Sequence, residues 1–364
     1  MKSVTISDKT GLAIMLLFLL GSNLVLGTAG PARRDAWIAV IIATAAAQSI
    51  LIVHARILSL YPKNNVFDIN EIIFGKFLGR LINMVYTSFS IYLGAIVLNN
   101  FTNFISTIGL PDTPDIVPVA FILFLCVWVS KEGIEVLGRL SQLFIIVIVM
   151  IMATATLLSI PLWNLDNIRP ILNSGFTVLF KGTVSAFFFP FGDSVIFLML
   201  FESLKNKKSP YKVFFISSLL CGLILTILTA RNIMVLGEEL IQRNYYPSYI
   251  AISKINIGEF IQRIETFVMV AFLVAGFIKI SCCMIAASKG VAKIFAFKDY
   301  RFIVSPVGLI ITGLSFKVFE NMQENVMWNA IYMPYYMAIY EVIIVLITYI
   351  RAERYAQKSR LDRV

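Results

Sequence analysis

The sequence predicts an all-α polytopic membrane protein of ten transmembrane helices, in two five-helix halves that each open on a broken helix. Three observations predict it. Hydrophobic residues make up 59% of the chain and charged residues 14%, with a mean hydropathy of +0.84, far from the ~25% charged usage of soluble domains. Ten apolar stretches can be read, each near the ~20 residues that cross ~30 Å of hydrocarbon. The first and sixth are interrupted by glycine, proline and polar residues. Paired interruptions at matching places in two halves point to a transporter-type binding site.

The stretches cover residues 11–29, 35–60, 81–105, 116–129, 141–162, 177–200, 214–236, 264–287, 304–316 and 327–350. The first lacks an A-x-A site and reads as a helix, not a cleaved leader. It is interrupted at Gly21-Ser22-Asn23 and at Gly27-Thr28-Ala29-Gly30-Pro31. After the second, residues 67–74 alternate polar and apolar groups at helical spacing and predict a short interfacial helix. The fourth and ninth are the shortest. The sixth is broken by Phe187-Phe188-Phe189-Pro190-Phe191-Gly192-Asp193, which puts a helix breaker, a glycine and an acid at mid-depth. In lipid, unwound backbone persists only where it lines a cavity, because each unpaired N–H or C=O costs several kcal/mol. Both breaks are therefore expected to face a ligand. Residues 237–258 form the longest outer loop, and its Tyr245-Tyr246-Pro247 reads equally as a cover over a vestibule or as solvated loop. Residues 289–301 keep Ala292, Ile294, Phe295 and Phe297 among bases, which predicts that helix eight continues along the membrane surface. No stretch has the composition of a separate soluble domain.

Of the 31 Lys and Arg residues, twenty-one fall on the side of the N-terminus, nine (Arg231 among them) on the other, and Lys279 within a span. The positive-inside rule then places both termini in the cytoplasm. The formal net charge of +10 reflects this topology and lipid headgroups, with no need for nucleic acid. Trp37, Trp128, Trp163 and Trp328 fall at span ends, where an aromatic belt belongs. Cys126, Cys221, Cys282 and Cys283 sit in apolar runs without CxxC spacing and read as small buried side chains. His54 is the single histidine, which excludes a His-based metal site. No GxSxG, P-loop or HExxH pattern supports an enzyme, and no cofactor is expected.

Ionised groups at the bilayer centre cost roughly 2.5–3.5 kcal/mol on insertion scales, so Asp193 and Lys279 stand out as functional. At ~1.5 Å per residue they lie about 7 Å and about 5 Å inward of their span midpoints. They are expected to form a salt bridge or share a water-lined polar cluster; the alternative is that each caps a break or snorkels alone. The candidate ligand contacts are Gly21, Ser22 and Asn23 at the first break, Ser90 and Tyr92 on helix three, Ser185, Phe188, Phe189, Pro190, Gly192 and Asp193 around the second, and Lys279 and Ser281 on helix eight. Serines in a helix otherwise back-bond to a carbonyl, and the phenylalanines equally pack against helices or lipid. Asn99, Asn100 and Asn103 read as markers of the membrane interface, and Glu135 with Arg139 as an i,i+4 pair ordering an inner loop.

Ile6-Ser7, Gly21-x-x-Leu24-x-Leu26, Asp35-Ala36-Trp37, Leu110-Pro111-Asp112-Thr113-Pro114, Gly133-Ile134-Glu135 with Arg139, Pro190-Phe191-Gly192 followed by an acid, and Lys279 occur in this order. Through them nearly the whole chain resembles the B subunit of the spore germinant receptors (the GerAB family), which is itself similar to the amino acid–polyamine–organocation transporters. The resemblance implies a single transmembrane domain with a LeuT-like fold: inverted repeats at about 9–163 and 175–322, and a tenth helix at 325–352. It also implies recognition of a small-molecule germinant in the inner membrane of a dormant spore, with partner A and C subunits. Two residues depart from the family pattern. Gly27 stands where a proline is frequent, and Asp193 where Glu is common, one methylene shorter.

The expected function is a nutrient-sensing subunit that binds a germinant between helices one, three, six and eight. Asp193 neutralised by Lys279 leaves little charge for a charged ligand, and half-helix ends suit a zwitterion. A neutral amino acid is the first candidate and a sugar the second. The runner-up is an amino-acid permease coupled to protons through Asp193, and a third reading is an ion-conducting subunit. Fold alone does not decide among them.

Overall fold

Local chemistry sets where each helix starts and stops in the computed structural model, which describes residues 5–256 and 263–361. Helix α1 (Asp8–Leu20) begins where Ser7 accepts a hydrogen bond from the Thr10 N–H at 3.2 Å and Asp8 meets the positive helix end. It stops at Gly21, whose backbone leaves helical space at φ 20°, ψ −119°. One further turn, α2 (Asn23–Leu26), ends at Gly27 with φ 79°, a conformation that suits glycine. A tight turn over Gly30–Asp35 leads into α3 (Ala36–Leu60). The expected short helix follows as α4 (Val66–Phe74), capped by Asn65. Then come α5 (Lys76–Phe104), α6 (Ile116–Glu132) and α7 (Ile134–Leu158).

The second half opens with α8 (Phe176–Ala186), which runs into a π-turn, Phe187–Phe191. There Phe189 leaves helical geometry at φ −126°, ψ 106°. The chain resumes not as α-helix but as a 3-10 segment, Gly192–Leu198. This narrower winding threads between α1, α3 and the later helix α11 with every side chain buried. Next are α9 (Ser209–Arg243), bent at Gly237, then α10 (Pro247–Ser253), α11 (Glu265–Ile294) and α12 (Val304–Ser315). The last crossing joins α13 (Met322–Met327), α14 (Met333–Met337) and α15 (Ile344–Leu361) through π-turns at Trp328–Tyr332 and Ala338–Ile343.

Six of these helices are long and apolar enough to cross a membrane alone. The interrupted or shorter ones (α1 with α2, α6, α8 with its continuation, and α12) complete ten crossings among the described residues. Two expectations are corrected. Arg231, read as an outer-loop charge, is fully buried, because α9 continues past it to Arg243. Helix eight continues into residues 289–301 only as far as Ile294, where α11 ends, and not through to Arg301; Lys289 on Glu202 and Lys293 on Asp68 at 2.6 Å hold that last stretch. The outer loop after α9 folds as α10, while its expected end at Gly258 lies outside the described residues.

Both ends of the described chain lie on one face. Ile6 N–H donates to the Ser203 carbonyl at 2.8 Å, and α15 is tied to α3 and α4 through Arg56–Glu353 at 2.6 Å and Arg351 to the Ile73 carbonyl at 3.1 Å. At the opposite face, buried Asp35 accepts from the N–H groups of Leu172 and Ser174, pinning the loop that enters α8. Residues 14–20 of α1 are at most 5% exposed, so this helix is the centre of the core.

Small residues allow the closest approaches. Gly276 of α11 lies under the Phe101 ring, where an added Cβ would come within 1.7 Å of it, whereas Gly313 has open space. Alanine generally favours a helix over glycine by roughly 0.5–1 kcal/mol. Gly313→Ala should therefore leave the melting temperature in detergent unchanged or raised. Gly276→Ala should lower it, by an overpacking cost of about 1–3 kcal/mol. Equal effects would contradict this packing.

Candidate functional site

The two breaks meet at Lys279. Its side chain leaves α11, passes over the first break and ends at the second. An added Cβ on Gly21 would stand 2.8 Å from Lys279 Cδ, so the missing side chain there is what lets the lysine through. Lys279 Nζ donates to Asp193 Oδ2 at 2.5 Å, with both side chains fully buried. The ammonium also lies 4.9 Å from the ring centre of Phe18 on α1 and 4.6 Å from that of Phe189. One cation thus links α1, both breaks and α11.

A third ionisable group joins them. Glu341, from the π-turn before α15, is fully buried, and neither carboxylate oxygen has a hydrogen-bond partner among the described residues. It fills the space beside Gly192, where an added Cβ would stand 1.7 Å from Oε2. Gly192 itself has ordinary helical angles. The sequence marks it as a flexible break point; in the structure it is needed for close approach.

Beyond Phe189, toward the face opposite the chain ends, lies a cavity of about 450 Å³. The unwound stretch from Leu26 to Pro31 forms one wall, and Trp328, Met333 and Met337 of the last crossing form another. Amides make up much of its polar lining, with hydroxyls and two arginines, Arg33 and Arg243. Asn325 Nδ2 donates to Asn100 Oδ1 at 2.8 Å, and Asn329 Nδ2 donates to Asn325 Oδ1 at 2.6 Å. On the far wall Asn232 is held by Arg231, whose Nε and Nη2 both donate to its Oδ1. The loop after α9 forms part of the cavity wall: Tyr245 and Pro247 line it, and Tyr245 donates to the Met322 carbonyl at 2.5 Å. Burial raises the Tyr245 phenol to about 12, so it remains a donor at neutral pH.

The candidate contacts divide by place. Gly21, Phe189, Gly192, Asp193 and Lys279 converge at the charge cluster, and Pro190 is buried beside them. Ser185 and Phe189 line the cavity. The others do not line it. Asn23 bonds the Leu19 carbonyl and Thr28, and Ser90 bonds the Tyr86 carbonyl and the Met199 sulfur. Tyr92 packs against Trp328 and Tyr336, and Phe188 against Phe187. Ser22 and Ser281 are buried, with hydroxyls that lack partners among the described residues. Asn99 and Asn100 are buried, contrary to an interfacial reading, because they face α12 and α13 and not the lipid. Glu341 went unnoticed although the rule that singled out Asp193 applies to it: an acid inside an apolar span.

A family model described as "Spore germination protein" matches residues 5–323. Spore germination protein KB of Bacillus subtilis (strain 168) is 30% identical over 328 residues, covering 89% of this chain and 88% of that protein. Spore germination protein GerQB of Bacillus cereus is 22% identical over 316 residues, 86% of each chain. Two solved structures share the fold. Mhp1, a nucleobase-cation-symport-1 family transporter in a closed conformation with bromovinylhydantoin bound, aligns with TM-score 0.64 at 12% identity, over 98% of this chain and 94% of its own. MhsT in complex with L-phenylalanine aligns with TM-score 0.57 at 11% identity, over 97% and 100%. The architecture is the LeuT-like 5+5 inverted repeat, with helices 1 and 6 broken.

The Gly192–Glu341 contact can be tested by stability. Gly192→Ala should cost about 1–3 kcal/mol by overpacking. In a Glu341→Ala background the same change should cost far less, since the group it strikes is gone. An equal cost in both backgrounds, read from melting in detergent, would show that Glu341 does not occupy this space.

Proposed function

This chain belongs to the spore germination protein family, and we propose that it is the nutrient-sensing membrane subunit of a spore germinant receptor. The observation that carries the reading is the cavity of about 450 Å³ whose lining residue Phe189 also touches the buried Lys279 ammonium. Its volume falls in the ~300–1,000 Å³ range of small-molecule sites. A ligand resting on Phe189 would press on the group that holds the two broken helices together. No acidic side chain lines the cavity among the described residues; its polar groups are amides, hydroxyls and two arginines, Arg33 and Arg243, each paired with a carboxylate outside the lining, Glu238 and Glu239. Such a lining suits a small neutral polar molecule. An amino acid is the first candidate, because backbone groups freed at the breaks suit a zwitterion, and a sugar is the second. In this reading the chain sits in the spore inner membrane with both termini cytoplasmic, and the ligand-driven shift passes to A and C subunits.

A thermal-shift screen of the purified protein against amino acids and sugars tests this. A ligand at 100 times its Kd should add about 2.7 kcal/mol of stability. Asn329→Leu, at an exposed position of the lining, should weaken or abolish the shift without lowering the unliganded melting temperature. If no nutrient stabilises the protein, or Asn329→Leu responds like wild type, the cavity is not the recognition site. Accumulation of a labelled ligand in proteoliposomes by this chain alone would favour a permease instead.

A further inference from the structure

Two carboxylates and one ammonium meet where the broken helices cross. Asp193 Oδ2 accepts from Lys279, but its Oδ1 and both oxygens of Glu341 have no hydrogen-bond donor among the described residues. Glu341 packs against Gly192, the residue before Asp193, and the turn that carries it lies against the 3-10 segment that carries Asp193. Ionised carboxylates only accept, so two in contact repel and leave lone pairs unmet in a low-dielectric core. With all three groups ionised, the cluster holds one uncompensated negative charge. A single proton removes both faults, because it neutralises the cluster and supplies the O–H that Asp193 Oδ1 lacks.

The surrounding elements offer no other remedy. In and after α1, no ionisable side chain occurs between Lys9 and Arg33. Helix α5 packs on the same turn of the last crossing with Phe89 stacked on Tyr340 at 5.4 Å, and its Tyr86 is buried. Helix α3 brings His54, whose Nδ1 meets Ser194 Oγ at 3.3 Å and neither carboxylate. Helices α9 and α11 add the buried thiols of Cys221, Cys282 and Cys283 near Lys279. Among the described residues, Lys279 is the one cation in ion-pair contact with the cluster.

We infer that Glu341 is a proton-binding site, holding one proton and donating it as a hydrogen bond to Asp193 Oδ1 while Lys279 clamps the two breaks. Loss of that proton turns Glu341 into a second carboxylate competing for the ammonium, which draws Lys279 away from the Phe18 and Phe189 rings. Proton occupancy is thereby coupled to the lining of the cavity. The inference stands on the charge cluster, whether or not the cavity takes a nutrient.

Infrared spectroscopy of the purified protein at neutral pH, with no nutrient added, reads the proton directly. Wild type should show the C=O stretching band of a buried protonated carboxylic acid, slow to respond to D2O. Glu341→Gln, whose amide can still donate to Asp193, should lose the band and remain folded. Asp193→Asn should lose it too, because Lys279 then takes Glu341 as its counter-ion. That variant decides the matter if Glu341→Gln fails to accumulate. Absence of the band in wild type, or its survival in Glu341→Gln, overturns the inference. A sodium- or potassium-dependent rise in melting temperature in wild type alone, without the band, would assign the site to a metal cation and overturn the proton.

Discussion

An ammonium group taken out of water must receive charge and dipoles in return, and at Lys279 three separate parts of the chain supply them. Asp193 comes from the segment after the second break, Phe18 from the end of α1, and Phe189 from the second break itself. Leaving one member of a buried ion pair alone costs more than the pair contributes, because the remaining charge is uncompensated. This asymmetry holds the breaks in register. It also explains the glycines: Gly21 leaves a path for the lysine stem, and Gly192 leaves room for Glu341.

The last crossing connects three levels of the molecule. Trp328, Met333 and Met337 line the cavity, Glu341 lies at the charge cluster, and Arg351 and Glu353 bond α4 and α3 on the face that carries both chain ends. Its helix is interrupted by two π-turns, at Trp328–Tyr332 and Ala338–Ile343, and such turns recur at functional sites. A change of winding there would move the cavity wall and Glu341 together. That is a physical route by which occupancy of the cavity could reach the opposite face.

Much of this was legible in the sequence. Apolar runs separated by charged loops located ten crossings, and glycine and proline inside two of them located the breaks. The depth of Asp193 and Lys279 along their helices placed them as a pair, because 1.5 Å per residue turns position into height. The misses have physical causes. Period-3.6 patterning carries no sign of a π-turn, so the rotation that brings Glu341 inward was hidden. Arg231 sat near the end of an apolar run and looked exposed, but α9 extends a further three turns beyond it. Helix three turns its asparagines toward α12 and α13, a matter of rotation that composition does not record. Ser90 satisfies its hydroxyl within its own turn, as serines in helices commonly do.

A double-mutant cycle on Lys279 and Asp193, read as unfolding free energy in detergent, tests the central claim most directly. Lys279→Met should cost about 3–5 kcal/mol by leaving buried carboxylates unpaired. Asp193→Asn should cost less, since Glu341 remains as a counter-ion. The double variant should lose less than the sum of the two, with a coupling of about 0.5–3 kcal/mol. Strictly additive losses would show that Lys279 and Asp193 do not hold the broken helices together.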